Sequence, residues 1–257
     1  MKNKVILILV DGMRPDGLLE CENPYVPHLL ESSCTFMDSQ TIMPSVTLPC
    51  HMSLFHSVPA DRHGILTNTW VPQVRPVKGI FDVLAQNNKK SASFYNWEEL
   101  RDLGKPGTLT KSLYLALGDH ENSDNILTDE AIKLAEESEP DFIFLYLGET
   151  DEIGHKHGWM GKEYKDTVNN AVSCIERVID ATKGAYTFII TADHGGHDRS
   201  HGSDMPEDMT IPIIIHGKGI PENIAGSPTI LDIAPTVTHI LGIAPDRDWE
   251  GISILGR

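Results

Sequence analysis

"VILILVDGMRPDG", residues 5–17, decides how this chain is read. Six aliphatic residues, Val5 to Val10, run without a polar break and stop at Asp11-Gly12. A half-exposed strand would alternate apolar and polar residues. A short continuous run reads instead as a central strand of a parallel sheet, covered on both faces. The aspartate then stands at the sheet edge where open α/β folds hold their ligands. The pattern recurs twice. DFIFLYLG (141–148) runs into Glu149-Thr150-Asp151, and AYTFIITA (185–192) runs into Asp193-His194.

Working outward, SASFYN (91–96) and IPIIIHG (211–217) read as further strands. Helical patterns cover 24–33, 79–88, 123–138, 162–182 and 230–242, the last with Pro235 inside it or at its start. Strands alternating with helices imply an α/β fold, a three-layer sandwich with a mostly parallel central sheet. Residues 1–257 read as one catalytic domain. The stretch 65–120 is less regular, carries Pro72, Pro76 and Pro106, and is expected to form a small cap.

Lys and Arg number 21 against 37 Asp and Glu, a formal net charge of −16. Such a surface repels polyanions, which argues against nucleic-acid polymers and acidic membranes as partners. A small phosphate substrate stays compatible, because bound cations invert the local field. Cys21, Cys34, Cys50 and Cys174 show no CxxC spacing and read as reduced, buried thiols. The apolar run after Met1 is too short for a secretory leader or a membrane span. The expected location is therefore cytoplasmic.

The three strand ends carry metal-ligand residue types. Asp151 and His155 are four apart, which puts both on one face if a helix follows the strand. Asp193-His194 is followed by Gly195 and Gly196, which would let the backbone turn, and then by His201. An aspartate at a strand end is as often a turn or cap residue. The convergence of Asp11, Asp151, His155, Asp193, His194 and His201 on one sheet edge is the stronger signal. Mixed imidazole and carboxylate donors suit zinc, with manganese, iron or cobalt as substitutes. Six such groups exceed the three ligands of an ordinary catalytic zinc, which implies two ions clamping an in-line displacement at phosphorus.

The pieces VDGMRPD, PSVTLPCHMSLFHSVPADRHGI, ETDEIGHKHG, TADHGGH…HGSD and DIAPTVTHILGI together resemble the alkaline phosphatase superfamily. Within it they are most similar to the nucleotide pyrophosphatase/phosphodiesterase branch, in the same order along almost the whole chain. The resemblance implies two Zn2+ ions, one held by Asp151, His155 and His201, the other by Asp11, Asp193, His194 and the oxygen of Thr47. It implies that Thr47 is the nucleophile. It also implies that Asn68, in HGILTN, hydrogen-bonds a phosphoryl oxygen. The activity expected is that of a two-metal phosphodiesterase. The alternatives are a phosphonate hydrolase, a phosphomonoesterase, or a non-catalytic metal-binding protein on the same scaffold.

A free threonine hydroxyl is a weak nucleophile, and coordination to a divalent cation would activate it without an adjacent base. The plainer role for Thr47 is the N-cap of a helix MSLFHS, with Pro49 in its first turn. The two roles are compatible, since a helix N-terminus also favours a phosphoryl group. Threonine cannot become formylglycine, which argues against a sulfatase. Neither Arg14 nor Arg62 sits in the motif of the arginine that grips a monoester in alkaline phosphatases. Leu48 stands where the branch often has an aromatic that stacks a nucleoside base. His51, His63 and His157 read as structural, and Cys50 as a small buried thiol. His197 and Asp198 read equally as partners of the ligands or as substrate contacts.

Overall fold

The computed structural model describes residues 3–120, 122–182 and 184–256. Seven strands form one sheet: β1 (Val5–Val10), β2 (Cys34–Gln40), β3 (Ser91–Tyr95), β4 (Lys111–Tyr114), β5 (Phe142–Leu147), β6 (Thr187–Thr191) and β7 (Thr210–His216). Their order is β2-β7-β6-β1-β5-β3-β4. The continuous aliphatic run is central, with β1 pairing in parallel with β5 on one side and β6 on the other. Every residue of β1 and β5 is buried. β7 runs antiparallel to both β6 and β2, so the sheet is mostly parallel with one reversed strand.

Helices cover both faces. Ser123–Ser138, Glu149–His157 and Lys162–Thr182 pack together on one side, and Thr47–His56, Ile80–Gln86 and Ile233–Ile240 on the other. The expected helix over 230–242 begins as a 3-10 turn, Ile230–Asp232, before continuing as an α-helix. Pro235 falls in the first turn of that α-helix, where its missing N–H has no partner to lose. The sequence patterns passed over β2 and β4. Both are edge strands, half-exposed and without an aliphatic run.

The stretch 65–120 divides. Ile80–Gln86, β3 and β4 join the main body, whereas residues 66–78 carry no helix or strand. The four cysteines are free and buried. Among the described residues no helix is long and apolar enough to cross a membrane.

Candidate metal centre

β1, β5 and β6 are adjacent and parallel, so Asp11, the start of the helix Glu149–His157, and Asp193-His194 leave the sheet side by side. Two groups of donors result. In one, Asp11, Asp193 and His194 each offer an atom, all within 4.8 Å of one another; Asp151, His155 and His201 do so in the other. His194 Nε2 lies 3.3 Å from Asp11 Oδ1 and 3.3 Å from Asp193 Oδ2. His201 Nε2 lies 3.6 Å from Asp151 Oδ1, and His155 Nε2 3.5 Å from Asp151 Oδ2. The rings of His194 and His201 stack at 3.8 Å, so the groups are immediate neighbours.

The ring nitrogens are assigned by their carbonyl partners. Nδ1 of His194 donates to Gly195 O at 2.7 Å, that of His201 to Ser45 O at 2.9 Å, and that of His155 to Arg199 O at 3.0 Å. A carbonyl only accepts, so each Nδ1 carries a proton, and each Nε2 faces the carboxylates. Burial, chiefly, lowers the pKa of His194, and lowers that of His201 to about 4, so both rings are neutral at pH 7.

These groups fit divalent cations. Asp11 Oδ1, Asp193 Oδ2 and Asp151 Oδ1 are buried without a hydrogen-bond partner, an arrangement that is costly unless a cation meets them. Burial first, and then the charges of Asp193 and Asp151, push Asp11 well above the usual carboxylate range. His155 Nε2 and His201 Nε2 are 3.1 Å apart, close enough for a single proton or cation to serve both. The donors are the oxygen and imidazole types that zinc accepts.

Thr47 adjoins the first group. Its Oγ1 is 3.2 Å from His194 Nε2. The helix starts earlier than expected, at Thr47 itself, with Val46 as N-cap and no side-chain cap bond. The capping role is thereby corrected: as the first helical residue, Thr47 turns its hydroxyl toward His194. Asn68 is the nearby amide. Its Oδ1 accepts the Leu48 N–H at 3.0 Å, which holds the side chain with Nδ2 as the remaining donor. That bond engages the Leu48 amide and leaves Asn68 Nδ2 free to offer a hydrogen bond.

Gly195 and Gly196 serve a different purpose from a sharp turn. Neither has positive φ. A Cβ on Gly195 would lie 2.0 Å from Glu207 O, and one on Gly196 2.2 Å from the Trp159 ring, so close approach excludes a side chain. Gly12 is the residue that needs left-handed backbone, at φ +66°, and its N–H donates to Asp193 Oδ1 at 3.2 Å.

Several supporting residues gave no sequence signal. Trp159 fills the space over Gly154 and Gly196, donates its Nε1–H to Gly12 O at 2.9 Å, and meets His155 edge-on at 5.1 Å. It thus touches all three strand-end segments. The Tyr146 hydroxyl donates to Asp11 Oδ2, and the Tyr164 hydroxyl donates to Gly12 O. His51 is structural: its Nδ1 donates to Thr47 O at 2.8 Å, and the ring packs on Tyr146. His63 pairs with Ser53 Oγ, 3.0 Å away. His197 pairs with buried Asp208 at 2.7 Å, which anchors the loop leading to His201. Cys50 is fully buried beside Thr41, and burial pushes its thiol far up.

Residues 5–208 match the family described as type I phosphodiesterase / nucleotide pyrophosphatase. Among curated proteins, GPI ethanolamine phosphate transferase 1 of Mus musculus is 24% identical over a match covering 98% of this chain. Ectonucleotide pyrophosphatase/phosphodiesterase family member 7 of Rattus norvegicus is 23% identical over 76% of it. The chain spans 32% of the length of the first and 50% of the second. Murine ectonucleotide pyrophosphatase/phosphodiesterase 5, solved as an inactive form with AMP, superposes with a TM-score of 0.80 at 14% identity, covering 95% of this chain and 96% of that one. A 2-O GAG sulfatase superposes with a TM-score of 0.75 at 14% identity, covering 98% and 73%. At such identities the superpositions show a shared fold.

Proposed function

The chain belongs to the type I phosphodiesterase / nucleotide pyrophosphatase family, and from that premise we propose that it is a metal-dependent phosphodiesterase with Thr47 as nucleophile. Asp11, Asp193 and His194 would hold one divalent cation and Asp151, His155 and His201 the other, with zinc best suited to the donors. Such ions supply Lewis-acid polarisation and lower the pKa of a bound hydroxyl. Thr47 Oγ1 forms a bond to phosphorus as the bond to the departing alcohol oxygen breaks, and water then releases the phosphoryl group from Thr47. Asn68 Nδ2 donates to a non-bridging oxygen, where charge accumulates. The observation that carries this reading is the Thr47 hydroxyl, 3.2 Å from His194 Nε2, whose ring stacks on His201 of the second group. The AMP complex of the murine structural neighbour supports a small phosphate ester as the substrate class.

The test is turnover of bis-p-nitrophenyl phosphate against p-nitrophenyl phosphate. The diester should react faster, stop on chelation and recover with zinc. Preference for the monoester would favour a phosphomonoesterase, and no turnover of either ester after zinc loading would overturn the hydrolase reading.

One observation favours a second reading. The relative matched over 98% of the chain is named a transferase. The first half-reaction would be the same, with an alcohol in place of water taking the phosphoryl group from Thr47. Adding a primary alcohol to the diester assay separates the two, because a transferase forms a new ester in proportion to the alcohol.

A further inference from the structure

The helix Glu149–His157, which carries Asp151 and His155, has no cap of its own. Its N-cap is Gly148, and the helix Ser123–Ser138 likewise starts without a side-chain cap bond. The two starts cap each other instead. Asp124 Oδ1 accepts the Gly148 N–H at 3.0 Å, while Glu149 Oε1 accepts the Asp124 N–H at 3.1 Å and the Ser123 hydroxyl at 2.9 Å. Each helix thereby sets a carboxylate against the other's free amides, where the helix dipole also favours negative charge.

Asn96, the first residue past β3, closes the knot. Its Nδ2 donates to Asp124 Oδ1 at 2.7 Å and to Ser123 Oγ at 2.8 Å. Asn96, Ser123 and Asp124 are all buried, so water does not replace these bonds when one is lost. A Cβ on Gly148 would lie 2.7 Å from Asn96 Oδ1 and 2.8 Å from the Tyr146 ring, so only glycine fits this close to the knot. Burial first, and then the charge of Glu149, hold Asp124 well above the usual carboxylate range, and its Oδ2 has no hydrogen-bond partner. A carboxyl group kept on those terms is costly. Asp124 belongs to neither donor group. What it holds is Gly148, three residues before Asp151 and seven before His155.

We propose that Asp124 is a positioning residue for the Asp151–His155–His201 group: by fixing Gly148 it sets the rotation of the helix Glu149–His157, so that the Asp151 and His155 donors meet His201. The other group needs no such support, because Asp11, Asp193 and His194 follow directly on β1 and β6. A change at Asp124 therefore acts on one ion and spares the other. The side chain serves through its accepting oxygen, which asparagine also offers at that place. The inference rests on the two-metal reading above and not on which ester is cleaved.

The test is a zinc titration of the full chain against a chromophoric chelator, which reads the two sites separately. In Asp124→Ala the affinity of the Asp151–His155–His201 site should fall about tenfold, with the other site changed by no more than about twofold. Asp124→Asn should restore both. Ser123→Ala, which removes the hydroxyl between Asn96 and Glu149, should lower the same site about threefold, and it decides the matter if the Asp124→Ala protein does not fold. Amide hydrogen exchange of the metal-free protein gives a second readout: residues 149–152 should exchange faster in Asp124→Ala and at the wild-type rate in Asp124→Asn. Unchanged affinity in the folded variants, an equal loss at both sites, or no rescue by asparagine would overturn the proposal. If the wild type binds two zinc ions but hydrolyses neither ester, the phosphodiesterase reading falls, and the affinities still decide the role of Asp124. A wild type that binds no zinc would overturn both.

Discussion

The two donor groups are built differently. Asp11, Asp193 and His194 are buried and stand directly on strand ends, fastened from below by Tyr146, the Gly12 amide and the Gly195 carbonyl. Asp151, His155 and His201 are less deeply set; the His155 side chain is 45% exposed, that of Asp151 17% and that of His201 8%. Their backbone comes from a helix and a loop, steadied by Trp159 and by the carbonyls of Ser45 and Arg199. A buried carboxylate pair crowds like charge at low dielectric, so a cation there relieves a large penalty. An outer group shares its charge with water and gains less. The inner group should therefore hold its metal more tightly and exchange it more slowly than the outer one.

The largest expected effect tests the hydroxyl beside His194. Thr47→Ala should lower diester turnover by at least about 10³-fold while metal content, read by elemental analysis, is retained. Next comes the asymmetry itself. His155→Ala should lose the outer ion and keep the inner, and graded chelation of the wild type should remove one equivalent well before the second; simultaneous loss, or the reverse order, would break the comparison. Trp159→Phe sharpens it further. The variant loses the bond to Gly12 O, which Tyr164 still partly satisfies, so the stability cost should be about 1 kcal/mol in denaturant unfolding. Its outer-site metal affinity should fall about tenfold with the inner site little changed.

The smallest effect is electrostatic and lies in the loop that carries His201. The Asp208 hydrogen bond raises the His197 pKa above the ordinary 6.5. A raised histidine stabilises the fold fully below its unfolded value and loses that contribution as pH climbs through the raised value. Stability should thus decline over that window in the wild type, and the decline should be shallower in His197→Gln, as measured by denaturation midpoints across pH.

Much of this centre was legible in the chain. Unbroken aliphatic runs such as Val5–Val10 require burial on both faces, which in a chain of alternating helices means a parallel sheet interior. A polar residue ending such a run must emerge at the sheet edge, so the neighbourhood of Asp11, Asp151 and Asp193 followed from pattern alone. The helical spacing of Asp151 and His155 did as well. Edge strands escaped, since β2 and β4 bury one face at most and carry no such run. The role of Thr47 in its helix also escaped, because a hydroxyl one residue inside a helix looks identical in sequence to one at its cap.

The sequence by itself determined which atoms can reach the sheet edge, because hydrophobic periodicity sets strands and strand ends locally. Only the tertiary structure decided which of them meet, which imidazole nitrogen carries the proton, and where Trp159 stands. Those outcomes depend on contacts between segments far apart in the chain: Gly12 with Trp159, His201 with Ser45, and Asn68 with the Leu48 amide. No local propensity encodes such meetings; they arise when the packed sheet brings separate loops to one edge.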